Sequence, residues 1–162
     1  MVNVHSYESM GTFDGPGLRL VVFLQGCPFR CLYCANPDTI EVKGGKPTPP
    51  QEIVDMAVSQ KPFFGKRGGI TFSGGEPLAQ PRFLLSLIEE LKDYHLCIET
   101  SGYTDKDTFK SVIDRLDYVI MDIKLADNDK HFEYTGVSND RILENFRLLK
   151  NSDINFQGNV EA

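Results

Sequence analysis

The chain has 162 residues and a formal net charge of −6, from 17 Lys and Arg against 23 Asp and Glu. That balance disfavours nucleic-acid backbone or an anionic membrane surface as the main partner, and no stretch approaches the roughly 20 apolar residues that span a bilayer. With 41% hydrophobic and 10% aromatic residues the length suits a single domain, residues 1–162, in a soluble cytoplasmic protein, and the N-terminus, with His5, Glu8 and Asp14, has no apolar signal core.

Residues 18–24 (LRLVVFL), apolar but for Arg19, predict a buried strand. A cysteine-bearing loop follows, then a Gly/Pro-rich connection over 44–50. A helix opened by proline is predicted over 50–60, with Ile53, Val54, Ala57 and Val58 on one face. A short strand over 69–72 runs into Ser73-Gly74-Gly75-Glu76-Pro77. The strongest helical pattern covers 81–94, with Phe83, Leu84, Leu87, Ile88 and Leu91 at core spacing. A strand over 96–98 ends in Glu99-Thr100-Ser101-Gly102, and a helix over 105–116 turns Lys106, Asp107 and Lys110 to solvent. A strand over 118–123 (YVIMDI) ends in Asp122-Ile123-Lys124. Helical pieces over 128–134 and 139–150 follow, and a strand begins at 153–156.

Strands alternating with helices predict an α/β fold of parallel strands joined by right-handed crossovers. There is no repeat, low-complexity tract or linker. Every polar cluster falls where a strand ends, and in parallel α/β folds ligand sites collect at those carboxyl ends. Four strand ends are therefore expected to converge on one pocket.

Cys27, Cys31 and Cys34 form C-x₃-C-x₂-C, one ligand short of a four-coordinate cage. Three thiolates so close together can wrap a [4Fe–4S] cube and leave one iron open, and an open coordination position marks a reactive site. Zinc, with His5 or Cys97 as fourth ligand, is the alternative, although His5 lacks the paired spacing of zinc modules and Cys97 falls in a predicted strand as a small core residue. Two disulfides, with about three possible pairings, are the other alternative for four cysteines. Crowding of three into one loop argues for a metal site in a reducing compartment instead.

These residues, with Ser6-Tyr7-Glu8-Ser9, Gly11-Thr12-Phe13-Asp14-Gly15-Pro16-Gly17, Gln25-Gly26-Cys27, the GGEP run and Met121-Asp122-Ile123-Lys124, occur in order over 5–150. Together they resemble the radical S-adenosylmethionine (SAM) superfamily, and within it the glycyl-radical-enzyme activases of the pyruvate formate-lyase type. The resemblance implies a partial (β/α) barrel, a [4Fe–4S] cluster on Cys27, Cys31 and Cys34, and reductive cleavage of SAM to a 5′-deoxyadenosyl radical that takes a glycine α-hydrogen from a partner enzyme. A flavodoxin-type protein or similar reductant would supply the electron.

Site residues are implied by the same resemblance. Tyr33 would lie against the adenine, beside the backbone of Cys34 and Ala35, with Asn36 near the nucleotide; Ala35 stands where family members often carry His. Gly74, Gly75 and Glu76 would receive the SAM amino group, and Asp122, Ile123 and Lys124 would reach its carboxylate and ribose. Asp122 and Lys124 fall on one strand face, where a structural ion pair is the other reading. Glu99-Thr100 stands where the family has an Asp-Thr pair beside a monovalent cation, so Glu99 would either keep that ion in altered geometry or contact SAM. Asp14 would face the glycine loop of the partner, or stabilise its own turn.

Set against that family, the chain is expected to be truncated to about four β/α units, without the later strands whose arginine and histidine help to hold SAM. Three rival functions remain: an activase of anaerobic ribonucleotide reductase or another radical SAM enzyme, a non-catalytic cluster-binding remnant, and a zinc-stabilised binding module.

Overall fold

The computed structural model describes residues 2–27, 44–123 and 127–160. Strands β1 (Val2–Gly11), β2 (Arg19–Leu24), β3 (Lys46–Thr48), β4 (Gly69–Gly74), β5 (Leu96–Thr100), β6 (Tyr118–Ile123) and β7 (Asn155–Val160) form one open sheet in the order β3-β1-β2-β4-β5-β6-β7. Helices α1 (Pro50–Phe64), α2 (Pro81–Glu90), α3 (Lys106–Ile113), α4 (Asn128–Thr135) and α5 (Asp140–Lys150) occupy the crossovers. From β2 to β7 all pairings are parallel, the architecture of a partial barrel.

One edge departs from the expected all-parallel pattern: β1 pairs antiparallel with β2, and β3 antiparallel with β1. Only Val2, Val4 and Gly11 are buried in β1, and its register shifts between Val4 and Ser6 and again between Glu8 and Gly11. Two bulges erase the alternation by which a strand is read from sequence. At the other edge, the strand expected at 153–156 runs Asn155–Val160 and pairs with β6 along its whole length. Its residues NFQGNV carry little apolar signal, so backbone pairing decides the assignment.

The helices also correct the expected boundaries and stripes. α1 continues past Pro62, because Phe64, 7% exposed, docks edge-on against the Tyr94 ring at 6.0 Å. That packing outweighs the backbone hydrogen bond that a helical proline removes. Val58 and Phe83 stand outside the core, at 59% and 42% exposure. The core takes Ile53 and Ala57 from α1 and Leu84, Leu87, Ile88 and Leu91 from the α2 region.

Side chains alternate along each strand, so the sheet has two unlike faces. The outer face carries Leu20, Val22, Leu24, Ile70, Phe72, Ile98, Val119, Met121 and Ile123, and α1, α2, α3 and α5 cover it. The inner face carries Arg19, Thr71, Ser73, Cys97, Glu99 and Asp122 in register. Among the described residues no helix is long and apolar enough to cross a membrane.

Candidate functional site at the strand ends

At the carboxyl end of β4 the chain turns back on β2. The Gly75 amide donates to Leu24 O and the Glu76 amide to Gly26 O, both at 2.9 Å. Gly74 makes the approach possible: its φ is +106°, and a Cβ there would lie 2.4 Å from the Leu24 amide nitrogen and carbonyl oxygen. Gln80 holds the same segment, donating to Gln25 O at 2.9 Å. The half-buried Cys27 thereby sits beside the Gly74-Gly75-Glu76 turn.

Glu76 is 2% exposed and ties β4 to β5. One carboxylate oxygen accepts from Thr100 Oγ1 at 2.5 Å and the Leu78 amide at 3.0 Å. The other accepts from the Ser101 amide at 2.9 Å and Ser101 Oγ at 2.6 Å. Burial pushes this carboxyl above its ordinary range, and those hydrogen bonds pull it back. Thr100 Oγ1 also accepts from the Gly102 amide, and Asn145 Nδ2, on α5, donates to Gly102 O and Thr104 O at 2.8 Å. A continuous network thus holds the loop after β5.

The inner face lines a cleft of about 580 Å³ with Phe13, Asp14, Glu99, Asp122, Gln157 and Asn159 around it. Ser73 Oγ donates to Glu99 at 3.0 Å, and Asn159 Nδ2 donates to Asp122 at 3.1 Å. Burial, then the Asp14 carboxyl hydrogen-bonded to it, push Glu99 up to about 8; Asp122 adds to the effect and Ser73 opposes it. Three carboxyl groups, one of them protonated at neutral pH, face a cavity of the size that small-molecule sites occupy. Arg67 also lines the cleft, so the lining suits a ligand that carries a cationic group and hydroxyls beside an anionic one.

The expected site residues divide into groups. Cys27, Gly74, Gly75, Glu76 and Thr100 come together at the strand ends, and Asp14, Glu99 and Asp122 in the cleft. The side chains of Glu99 and Thr100 point to opposite faces: Thr100 turns outward to Glu76 while Glu99 turns inward to Ser73. The Ile123 side chain is 3% exposed in the outer core, so only its backbone is available to a ligand. Cys31, Tyr33, Cys34, Ala35, Asn36 and Lys124 lie outside the described residues. Cys97 lies on the Thr71–Tyr118 register line near the start of β5, and the β2 residue level with it is Val21. Val21 to Leu24 alone spans roughly 10 Å of strand, and Cys27 lies beyond that.

Ser73 and Ser101 stand in the sequence only as members of strand-end runs with no role of their own, and Asn145 and Asn159 belong to no motif. Ser73 was detectable, since Thr71 and Ser73 alternate with Ile70 and Phe72 and mark a polar strand face. The others depend on which loops and strands become neighbours.

Known proteins place this arrangement. Over 157 residues the chain is 46% identical to the pyruvate formate-lyase-activating enzyme of Staphylococcus epidermidis, covering 91% of this chain and 62% of that protein. It is 44% identical, with the same coverage, to the enzyme of that name from Staphylococcus aureus. The chain thus spans about 62% of the length of these relatives. A solved domain of pyruvate-formate lyase-activating enzyme from Bacteroides vulgatus superposes with a TM-score of 0.52 at 29% identity, over 57% of this chain and 59% of that one. Streptococcus suis SuiB, solved with S-adenosylmethionine, superposes with a TM-score of 0.63 at 20% identity, over 89% of this chain and 34% of that one, a likeness of fold. The model of the radical SAM superfamily matches residues 21–160, and the chain belongs to that superfamily.

Proposed function

We propose that the chain forms a single radical SAM domain of a cytoplasmic glycyl-radical-enzyme activase, with pyruvate formate-lyase or a related enzyme as its protein substrate. Cys27, Cys31 and Cys34 would hold a [4Fe–4S] cluster. The observation that carries the reading is the pair of backbone hydrogen bonds joining the GGEP turn to the Leu24–Gly26 segment beside Cys27, above a carboxyl-lined cleft. The acceptor-rich lining fits the group it would bind, since SAM presents an ammonium, a sulfonium and ribose hydroxyls. When bound, cluster and SAM together supply a 5′-deoxyadenosyl radical that abstracts the glycine hydrogen.

The chain's own residues would bind and orient. Gly74 and Gly75, without side chains, would give the SAM ammonium an approach to backbone oxygens. Glu76, whose oxygens already serve four protein donors, keeps the loops after β4 and β5 in register for the ligand. Asp122, which accepts from Asn159, would meet the ribose and methionyl end of SAM, together with the Ile123 backbone and Lys124. Tyr33, Cys34, Ala35 and Asn36 would surround the adenine. Glu99 would take a monovalent cation or the SAM ammonium, losing its proton on binding, and Asp14 would meet the glycine loop. A flavodoxin-type reductant would serve as electron donor.

The test is anaerobic reconstitution with iron, sulfide, SAM and dithionite. The expected products are methionine and 5′-deoxyadenosine, with a glycyl-radical EPR doublet on added pyruvate formate-lyase. A doublet on anaerobic ribonucleotide reductase instead would reassign the partner. A fully loaded cluster that forms no 5′-deoxyadenosine would leave a non-catalytic domain.

A further inference from the structure

At the amino ends of the strands lies a buried cation. Arg19, the first residue of β2, is 0% exposed, and all its N–H groups find acceptors. Nε donates to Thr71 Oγ1 at 2.7 Å, Nη1 to Pro16 O at 2.8 Å and Arg67 O at 3.4 Å, and Nη2 to Ile70 O at 2.9 Å and His95 O at 3.0 Å. A guanidinium can only donate. The Thr71 hydroxyl therefore accepts from Arg19 and must turn its single proton elsewhere, to Asp14 O at 2.6 Å. The carbonyls on both sides of Gly15 are thus fixed by one side chain, one directly and one through a hydroxyl. Gly15, at φ +119°, lets the loop lie flat: a Cβ there would stand 3.2 Å from Arg19 Cδ and 3.3 Å from Cys97 Sγ.

The loop so anchored carries the Asp14 carboxyl, turned to Glu99, and the Phe13 ring, 93% exposed on the rim of the cleft. A phenylalanine so exposed on a backbone fixed by buried hydrogen bonds is displayed, not merely left at a flexible tip. Its position on the cleft that holds Glu99 and Asp122 makes it continuous with the proposed site. Among the described residues every hydrogen-bond partner of Arg19 is neutral, with Asp117 and Asp14 acting on it only through space; burying an arginine this way is costly, and a loop needed only to connect two antiparallel strands does not require it.

We propose that Arg19, acting through the Thr71 hydroxyl and the Pro16 carbonyl, is the positioning residue that holds Phe13 and Asp14 rigid for docking of an extended segment of the protein partner. This rests on the reading above that Asp14 faces that partner. A fixed loop loses less conformational freedom on association, so removing the relay should weaken partner binding and leave SAM cleavage alone.

Thr71→Val removes the hydroxyl and keeps the shape; Thr71→Ser restores it. With pyruvate formate-lyase as substrate, Thr71→Val is expected to raise KM about tenfold while kcat, and 5′-deoxyadenosine formation without partner, stay within about twofold. Thr71→Ser should return KM close to the parent value. An unchanged KM, or equal losses in partner-dependent and partner-free turnover, overturns the proposal. Amide hydrogen exchange of residues 12–17 provides a readout independent of cluster and SAM, and Thr71→Val should accelerate it about tenfold; unchanged exchange also overturns the proposal. Parent protein that forms no 5′-deoxyadenosine refutes the activase reading, and the exchange result then still decides whether the relay fixes the loop.

Discussion

At the carboxyl ends of the parallel strands a buried carboxylate, Glu76, accepts four hydrogen bonds; at the amino ends a buried guanidinium, Arg19, donates five. None of these partners carries an opposite charge. Each group instead gathers neutral backbone and hydroxyl groups from several segments, so each acts as a cross-link whose geometry matters more than its sign. Glu76 joins the loops after β4 and β5, beside the turn that meets Cys27. Arg19 joins the loop before β2 to the beginnings of β4 and β5. The sheet between them supplies spacing, and the chemistry at either end depends on how firmly these two groups hold.

Conservative substitutions should separate the two ends. Arg19→Lys keeps the charge but offers three donors from one nitrogen to acceptors spread around a planar fork. At least two buried acceptors lose their partners, each worth about 1–3 kcal/mol, so a loss of about 2 kcal/mol or more is expected in urea unfolding. Glu76→Gln presents an amide to donors. Whichever way the amide lies, the hydroxyl on that side can reverse and accept, but a backbone N–H, of Leu78 or Ser101, is left facing a donor. One unmet donor corresponds to about 1–3 kcal/mol. Equal losses at the two sites would show that charge burial, rather than hydrogen-bond geometry, dominates at both.

Between the two ends the cleft carries a pH-dependent stress. Glu99 is held at about 8 in the folded chain against an ordinary value of 4.5, so the native state keeps a proton that the unfolded chain releases. Its contribution to stability is complete below about 4.5 and is lost as pH rises through about 8. The ligand-free protein should therefore show a falling Tm between about pH 5 and pH 9. Glu99→Gln should flatten that decline and raise Tm on the alkaline side. A parent Tm that does not change over this range would mean that Asp14 and Asp122 do not press on Glu99 as the geometry indicates.

How much of this was legible in the sequence differs between the two ends. Motifs marked the carboxyl ends, because short runs such as GGEP and ETSG carry their chemistry in adjacent residues, and short apolar runs placed β2, β4, β5 and β6. The amino ends were not legible. Arg19 looked like a single interruption in an apolar strand, and its partners Thr71, Arg67, Ile70 and His95 lie 48 to 76 residues away. The same limit hid Asn145, whose two acceptors lie 43 and 41 residues back. The opposite directions of the Glu99 and Thr100 side chains follow from strand alternation alone, since neighbours on a strand face opposite ways.

The smallest effect is one the amino end should withhold. Cys97 is fully buried, and burial pushes its thiol up to about 12, with the Arg19 charge only partly opposing. At pH 8 about one thiol in ten thousand is then ionised, and the thiolate is the form that reacts. Cys27 is half-buried at the opposite end of the sheet, so part of it is open to the reagent. Brief iodoacetamide treatment of the native, cluster-free protein should leave the Cys97 peptide unmodified while the Cys27 peptide gains the adduct, read by mass spectrometry. The same treatment in denaturant should label both. Labelling of Cys97 in the native protein would mean that the floor of the cleft opens, and a floor that opens could not be held by the five hydrogen bonds of Arg19.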